Sequence, residues 1–155
     1  MSNLAIANIS ETDSTILSRL LVSDSLQYRQ HFVPFPTDHA SLSTRLRLSR
    51  RDSYWGIWTD EVLAGFFMLR GFDEGYELPS FGVYVAHDYC GRGLASLALS
   101  YSEAWCRLNG IRGMILKVHA DNRVARTVYE RAGFVNTGRC ADTGQDTMGK
   151  TWSIG

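Results

Sequence analysis

The segment from residue 78 to residue 109 changes its hydrophobic period across a glycine loop, and no other feature narrows the choice of fold as far. Leu78–Ala86 is an apolar run of strand length, with Pro79 near its start and His87-Asp88 at its end. From Gly93 to Asn109 the apolar residues Leu94, Leu97, Ala98, Tyr101, Trp105 and Leu108 recur at i, i+3, i+4, i+7 spacing, which predicts an amphipathic helix that Asn109-Gly110 ends. Between them lies Tyr89-Cys90-Gly91-Arg92-Gly93. The first N–H groups of a helix have no partner inside it, and the helix dipole adds partial positive charge there. Small residues at 91, 93 and 95 let a bulky anion approach those N–H groups. Strand, loop and helix therefore make a candidate phosphate site over Gly91, Arg92, Gly93, Leu94, Ala95 and Ser96.

The remaining segments extend the same alternation. Leu4–Ile9 reads as a strand that runs into Ser10-Glu11-Thr12-Asp13, a helix N-cap, and Ile16, Leu17, Leu20, Leu21 and Leu26 follow at helical spacing. Phe32-Val33-Pro34-Phe35-Pro36 breaks that helix. A second helix is expected from Asp38 to about Arg50, then strands Tyr54–Trp58 and Val62–Arg70 around the polar connector Thr59-Asp60-Glu61. Gly71–Gly75 is a turn. Met114–His119 is a strand, Asn122–Ala132 a helix with Gly133 beyond its end, and Phe134–Cys140 and Met148–Ile154 are two closing strands. The order β-α-α-β-β-β-α-β-α-β-β predicts a single-domain α/β fold over residues 1–155, with a mixed, largely antiparallel sheet flanked by helices.

Composition excludes several classes. A chain of 155 residues with 45% hydrophobic and 21% charged residues is an ordinary globular domain. The formal net charge is zero, so the total charge recruits neither nucleic acid nor an anionic membrane. No apolar stretch approaches the ~18 residues of a spanning helix. The N-terminal residues lack a basic and then apolar leader pattern, so a cytoplasmic protein is expected. Cys90, Cys106 and Cys140 are read as free thiols. Neither they nor the four scattered histidines fall at metal-ligand spacing, and no metal site is expected.

Taken alone, the glycine loop is compatible with several structures. A P-loop requires GK[ST] after the second glycine, which is absent. A dinucleotide fingerprint would place Ser96 at its third glycine and an acidic residue at the end of the next strand, where the chain carries Lys117 and His119. A plain tight turn also fits.

A second block decides among them. Cys90-Gly91-Arg92-Gly93-Leu94-Ala95 resembles the pyrophosphate signature Q/R-x-x-G-x-G/A of the GNAT N-acetyltransferases. Asp121-Asn122-Arg123-Val124-Ala125-Arg126-Thr127-Val128-Tyr129-Glu130-Arg131-Ala132-Gly133-Phe134 resembles that family's N-x-x-A-x-x-x-Y-x-x-x-G-F. The two blocks occur in the family's order and spacing and cover roughly residues 78–140. The loop departs from the family at Cys90, where a Gln or Arg is usual. That costs a side-chain donor in a cradle built mostly of backbone.

The resemblance implies acetyl-CoA as cosubstrate and acetyl transfer to a primary amine. Val83, Tyr84 and Val85 would offer backbone groups to the pantetheine arm, and Gly91 to Ser96 would cradle the pyrophosphate. Asn122 would bond the cofactor, although an Asn there also serves as a helix N-cap. Tyr129 would protonate the leaving thiolate, although a buried Tyr also serves packing. Two candidates for the proton acceptor are Glu77, at the entry to the strand Leu78–Ala86, and His119. Ribosomal-protein N-terminal acetyltransferases carry a catalytic Glu where this chain has Lys117, which favours a small-molecule amine over a protein N-terminus. Asp73, Glu74 and Glu77 are acidic groups that would attract such an amine. The loop Phe32–Pro36 and the turn at Asp60 complete the expected acceptor side. A homodimer is common in the family, and the alternative functions are a non-catalytic acyl-CoA-binding module or a protein N-terminal acetyltransferase.

Overall fold

The computed structural model describes residues 1–32 and 34–154; Val33, inside the expected breaker Phe32–Pro36, and Gly155 lie outside the described residues. The elements run β1 (Leu4–Asn8), α1 (Ser14–Ser23), α2 (His39–Leu48), β2 (Ser53–Thr59), β3 (Val62–Arg70), β4 (Ser80–Val85), α3 (Leu94–Leu108), β5 (Gly113–Val118), α4 (Arg123–Arg131), β6 (Val135–Arg139) and β7 (Asp146–Thr151). The strands form one seven-stranded sheet in the order β1-β2-β3-β4-β5-β7-β6. Each neighbouring pair is antiparallel except β4 and β5. The fold class is as the sequence predicts. No helix among the described residues is long and apolar enough to cross a membrane.

β3 is apolar along almost its whole length because both of its faces are covered. Phe66 and Met68 pack with Leu17, Leu20, Leu21 and Leu42 from α1 and α2. Phe67 and Leu69 pack on the opposite face with Ala98, Leu99 and Cys106 from α3. Each large apolar side chain buried in this way contributes about 1.5–3 kcal/mol. Burial also pushes the Cys106 thiol up to about 12, so it stays protonated and inert.

Local chemistry moves several boundaries. α1 stops at Ser23, short of the expected Leu26, because Arg29 folds back onto its end. The guanidinium donates to the carbonyls of Asp24 at 3.0 Å and Leu21 at 3.4 Å. Leu26 is left exposed. α2 begins after Asp38, whose carboxylate accepts the Ser41 N–H at 3.0 Å. The last strand starts at Asp146 and ends at Thr151, where the sequence suggests Met148–Ile154. Its polar first residue is buried, and Arg126 and Arg139 pair with it there.

Candidate functional site

β4 and β5 pair at only two positions, Ser80 with Ile115 and Phe81 with Leu116. Beyond Phe81 the strands part. Ile115 N–H donates to the Pro79 carbonyl at 2.9 Å on one edge of β4, and Ala86 N–H donates to the Ala64 carbonyl at 2.9 Å on the other. Backbone groups alternate sides along a strand, so Val83 and Val85 turn their N–H and C=O groups towards β5. The ladder has already ended there, and the Val83 N–H finds no carbonyl on β5. The parting opens a cleft of about 650 Å³ lined by Val83, Tyr84, Val85, Gly91, Gly93, Leu94, Ala95, Ser96, Asn122 and Tyr129. Every cofactor residue expected from the sequence except Arg92 lies on that lining. The Arg92 guanidinium stands 5.7 Å from the centre of the Tyr89 ring.

The loop ahead of α3 turns on its two glycines. Gly91 and Gly93 sit at φ of 73° and 84°, in the left-handed region that other residues avoid. A Cβ placed on either would meet nothing within 4 Å, so the space in front of the loop is open. Gly93 is the N-cap of α3 and has no side chain to satisfy the first-turn N–H groups. Those donors have no side-chain partner and border the open space before the loop.

On the β5 side, Asn122 caps α4, its side-chain oxygen accepting the Ala125 N–H at 3.4 Å. The capping role and the place on the cleft wall coincide. Tyr129, one helical stripe further on, packs its ring edge-on to Phe81 at 6.4 Å and against Phe134 at 6.1 Å. Burial pushes its hydroxyl up to about 12. No hydrogen-bond partner for that hydroxyl occurs among the described residues.

The segment between α1 and α2 forms a further wall that sequence periodicity does not reveal. Tyr28 donates its hydroxyl to the Val85 carbonyl at 2.7 Å. Burial, with Cys90 and Asp24 adding to it, pushes the Tyr28 hydroxyl up to about 12. Asp24 accepts both the Tyr84 hydroxyl and the His87 N–H, the latter at 3.1 Å. His31 and Phe32 continue this wall. His31 meets His119 with ring centres 4.8 Å apart, and its Nε2 lies 4.0 Å from an Asp121 carboxylate oxygen.

Two groups of acidic residues fall elsewhere. Glu77 is exposed, precedes β4 at the end where β4 and β5 are still paired, and is not part of the cleft wall. Asp73 is engaged by backbone: its carboxylate accepts the N–H groups of Arg50, Arg51 and Asp52 at 3.1, 2.8 and 3.3 Å. Burial works against its charge, but these donors outweigh it and hold the carboxyl below the ordinary range. The guanidinium groups of Arg45 and Arg51 lie over the rings of Phe35 and Phe72.

The model of the acetyltransferase (GNAT) family matches residues 21–134. Over 87 residues the chain is 40% identical to a mycothiol acetyltransferase of Corynebacterium aurimucosum, a match that spans 54% of this chain and 28% of that protein. The chain thus spans about a third or less of the length of the curated relatives it matches. Its fold is similar to that of the PaiA N-acetyltransferase of Thermoplasma acidophilum, solved in complex with coenzyme A. The TM-score is 0.78 at 18% identity, covering 97% of this chain and 99% of that one. The ribosomal-protein-S18-alanine N-acetyltransferase of Escherichia coli superposes with a TM-score of 0.74 at 18% identity, covering 99% and 96%. With the parted strands, the glycine loop and Tyr129 in one cleft, and the family model spanning most of the chain, the protein belongs to the GNAT acetyltransferase family.

Proposed function

We propose that this protein transfers an acetyl group from acetyl-CoA to the primary amine of a small molecule by direct attack. The observation that carries the reading is the joining of three parts in one cleft: the unpaired edge of β4, the left-handed glycine loop and the Tyr129 hydroxyl. The residues fit a coenzyme A thioester. Val83 and Val85 present the backbone groups that β5 leaves unbonded, which suits the amides of a pantetheine arm. The open space before Gly91 and Gly93 leaves room for a pyrophosphate against the N–H groups of Leu94, Ala95 and Ser96.

Bound acetyl-CoA supplies an acetyl group activated as a thioester. The Val85 N–H polarises the acetyl carbonyl, and the Tyr28 hydroxyl holds the Val85 carbonyl at the same open end of the strand. His119 accepts the proton that the attacking amine gives up. Tyr129, kept protonated by burial, donates its proton to the thiolate as the C–S bond breaks and the N–C bond forms. Lys117 lies on the cleft wall. With no carboxylate at that position, the reading favours a small amine over a protein N-terminus.

Thermal unfolding with and without acetyl-CoA tests the first half of this reading, with NADH and ATP as controls. A ligand at ~100 times its Kd stabilises by ~2.7 kcal/mol, a rise of about 5–10 °C for a domain of this size. A panel of amines assayed for thiol release tests the second half. A shift with acetyl-CoA but no release with any amine would favour a binding module over an enzyme. No shift at all would remove the reading.

A further inference from the structure

We propose that His31, His119 and Asp121 form a binding site for one divalent first-row metal ion, zinc(II) by the chemistry of its ligands, at the acceptor mouth of the cleft, and that its occupancy holds turnover in check. One donor atom from each of the three residues lies within 4.8 Å of the others. The His31 Nε2 and the Asp121 oxygen are 4.0 Å apart, too far for a hydrogen bond between them. Zinc bonds to imidazole nitrogen and carboxylate oxygen are ~2.0–2.2 Å, so two atoms at that separation already reach a shared ion. A tetrahedral site needs them at ~3.4 Å, which small side-chain rotations provide. Asp121 is 78% exposed at its side chain and turns freely. Among the described residues, neither imidazole is engaged in a hydrogen bond that metal binding would have to break.

The backbones that carry the three ligands are held from both sides. His119 and Asp121 occupy a tight turn in which Asn122 N–H donates to the His119 carbonyl at 3.0 Å and Arg123 N–H to the Asp121 carbonyl at 3.0 Å. His31 belongs to the segment that Tyr28 ties to Val85 and Arg29 ties to the end of α1. Two imidazoles and one carboxylate suit zinc, and three protein ligands leave a fourth position for water or the acceptor amine. Lys117, two residues before His119, also lines the cleft and opposes a cation there. The site is therefore one for a reversibly bound ion. A metal on His119 takes the lone pair that the proposed reaction needs and blocks the mouth. This inhibitory consequence rests on the acetyltransfer reading; the binding site does not.

Metal-free, untagged protein titrated with cobalt(II) and then zinc(II) is the test. The expected result is one cobalt(II) per chain with visible d–d absorption bands, displaced by zinc(II). His31→Ala and His119→Ala should each weaken binding on the order of 100-fold, and Asp121→Asn on the order of tenfold. His39→Ala, His87→Ala and Cys90→Ser should leave it unchanged. Asp121 is exposed, so its variant keeps the test decisive where a histidine variant unfolds. These readings need neither acetyl-CoA nor an acceptor and stand apart from the enzymatic reading. In thiol-release assays zinc(II) should slow the native protein, a chelator should restore it, and the degree of inhibition should fall in His31→Ala. Absence of one-to-one binding, or binding undiminished in the His31, His119 and Asp121 variants, would overturn the site. Inhibition as strong in His31→Ala as in the native protein would overturn its regulatory role.

Discussion

The Tyr28 hydroxyl bonds to the Val85 carbonyl at 2.7 Å, which fastens the segment between α1 and α2 to the open end of β4. This bond joins residues from separate parts of the chain at the point where the reaction is proposed to occur. Tyr28→Phe keeps the ring contacts with Tyr84 and His87 and removes only the donor. A loss of about 0.5–1.5 kcal/mol is expected, read as a fall in Tm of a few degrees. The turnover rate should fall on the order of tenfold, because the Val85 peptide is no longer held in place. Unchanged turnover would show that Val85 needs no such support.

Tyr129→Phe separates chemistry from binding. The variant keeps the ring between Phe81 and Phe134, so stability should change little. The chemical rate should fall by ~100-fold or more, within the range for general acid catalysis, while the Kd for acetyl-CoA stays nearly constant. Because burial raises the hydroxyl to about 12, the native rate should show no loss from Tyr129 ionisation until the pH exceeds ~10. The sign for stability follows: the contribution of the neutral hydroxyl is full below the unfolded value of ~10 and is lost as pH rises through about 12.

Gly93→Val tests the phosphate cradle. At φ of 84° a branched side chain is strained by about 1–2 kcal/mol, although nothing lies within 4 Å of the new Cβ. The added carbon atoms would occupy the approach to the N–H groups of α3. A modest drop in Tm and at least a tenfold loss of acetyl-CoA affinity are expected, measured by calorimetry. Full affinity in this variant would mean the loop does not hold the pyrophosphate.

Asp146 ties three elements together, with Arg126 from α4 and Arg139 from β6 both on its carboxylate. The Arg126 hydrogen bond works against burial and, with help from Arg139, holds the carboxyl below the ordinary range. A depressed folded value means this stabilisation is present above the unfolded value of ~3.9 and is lost as pH falls through the lower folded one. Asp146→Asn should lower Tm at neutral pH and remove about one proton from the acid-melting slope between pH ~5 and ~2. An unchanged slope would show that the pair does not form in solution.

The parts of this molecule that depend on short sequence ranges are legible in the residues alone. The period of Leu94 to Leu108 fixed α3, the paired glycines marked the loop before it, and Asn122 both ended a turn and opened α4. What was hidden depends on pairing between distant segments. Glu77 looked close to the reaction because it enters the right strand, yet the side of Phe81 on which β4 and β5 part is set by their register. Asp73 looked like an acceptor site because the backbone of residues 50–52 was not known to fold onto it. The closeness of His31 to His119 and Asp121 is not legible in the sequence because they lie far apart along the chain. Asp146 falls before the expected last strand Met148–Ile154 because a buried carboxylate mimics a solvated one until its arginines are seen.

The sheet is continuous in drawing but divided in strength, because two residue pairs alone join β1–β4 to β5–β7. Its amide protons should therefore exchange with solvent in alternation along β4. Those of Gly82 and Tyr84 are bonded to β3 inside a packed core and should be slow, while those of Val83 and Val85 have no acceptor across the gap and should be fast. A ligand that lies along this edge would serve as the absent strand and abolish the alternation. The empty protein thus carries a period-two exchange pattern in the middle of its sheet, and the loss of that pattern is a direct reading of occupancy.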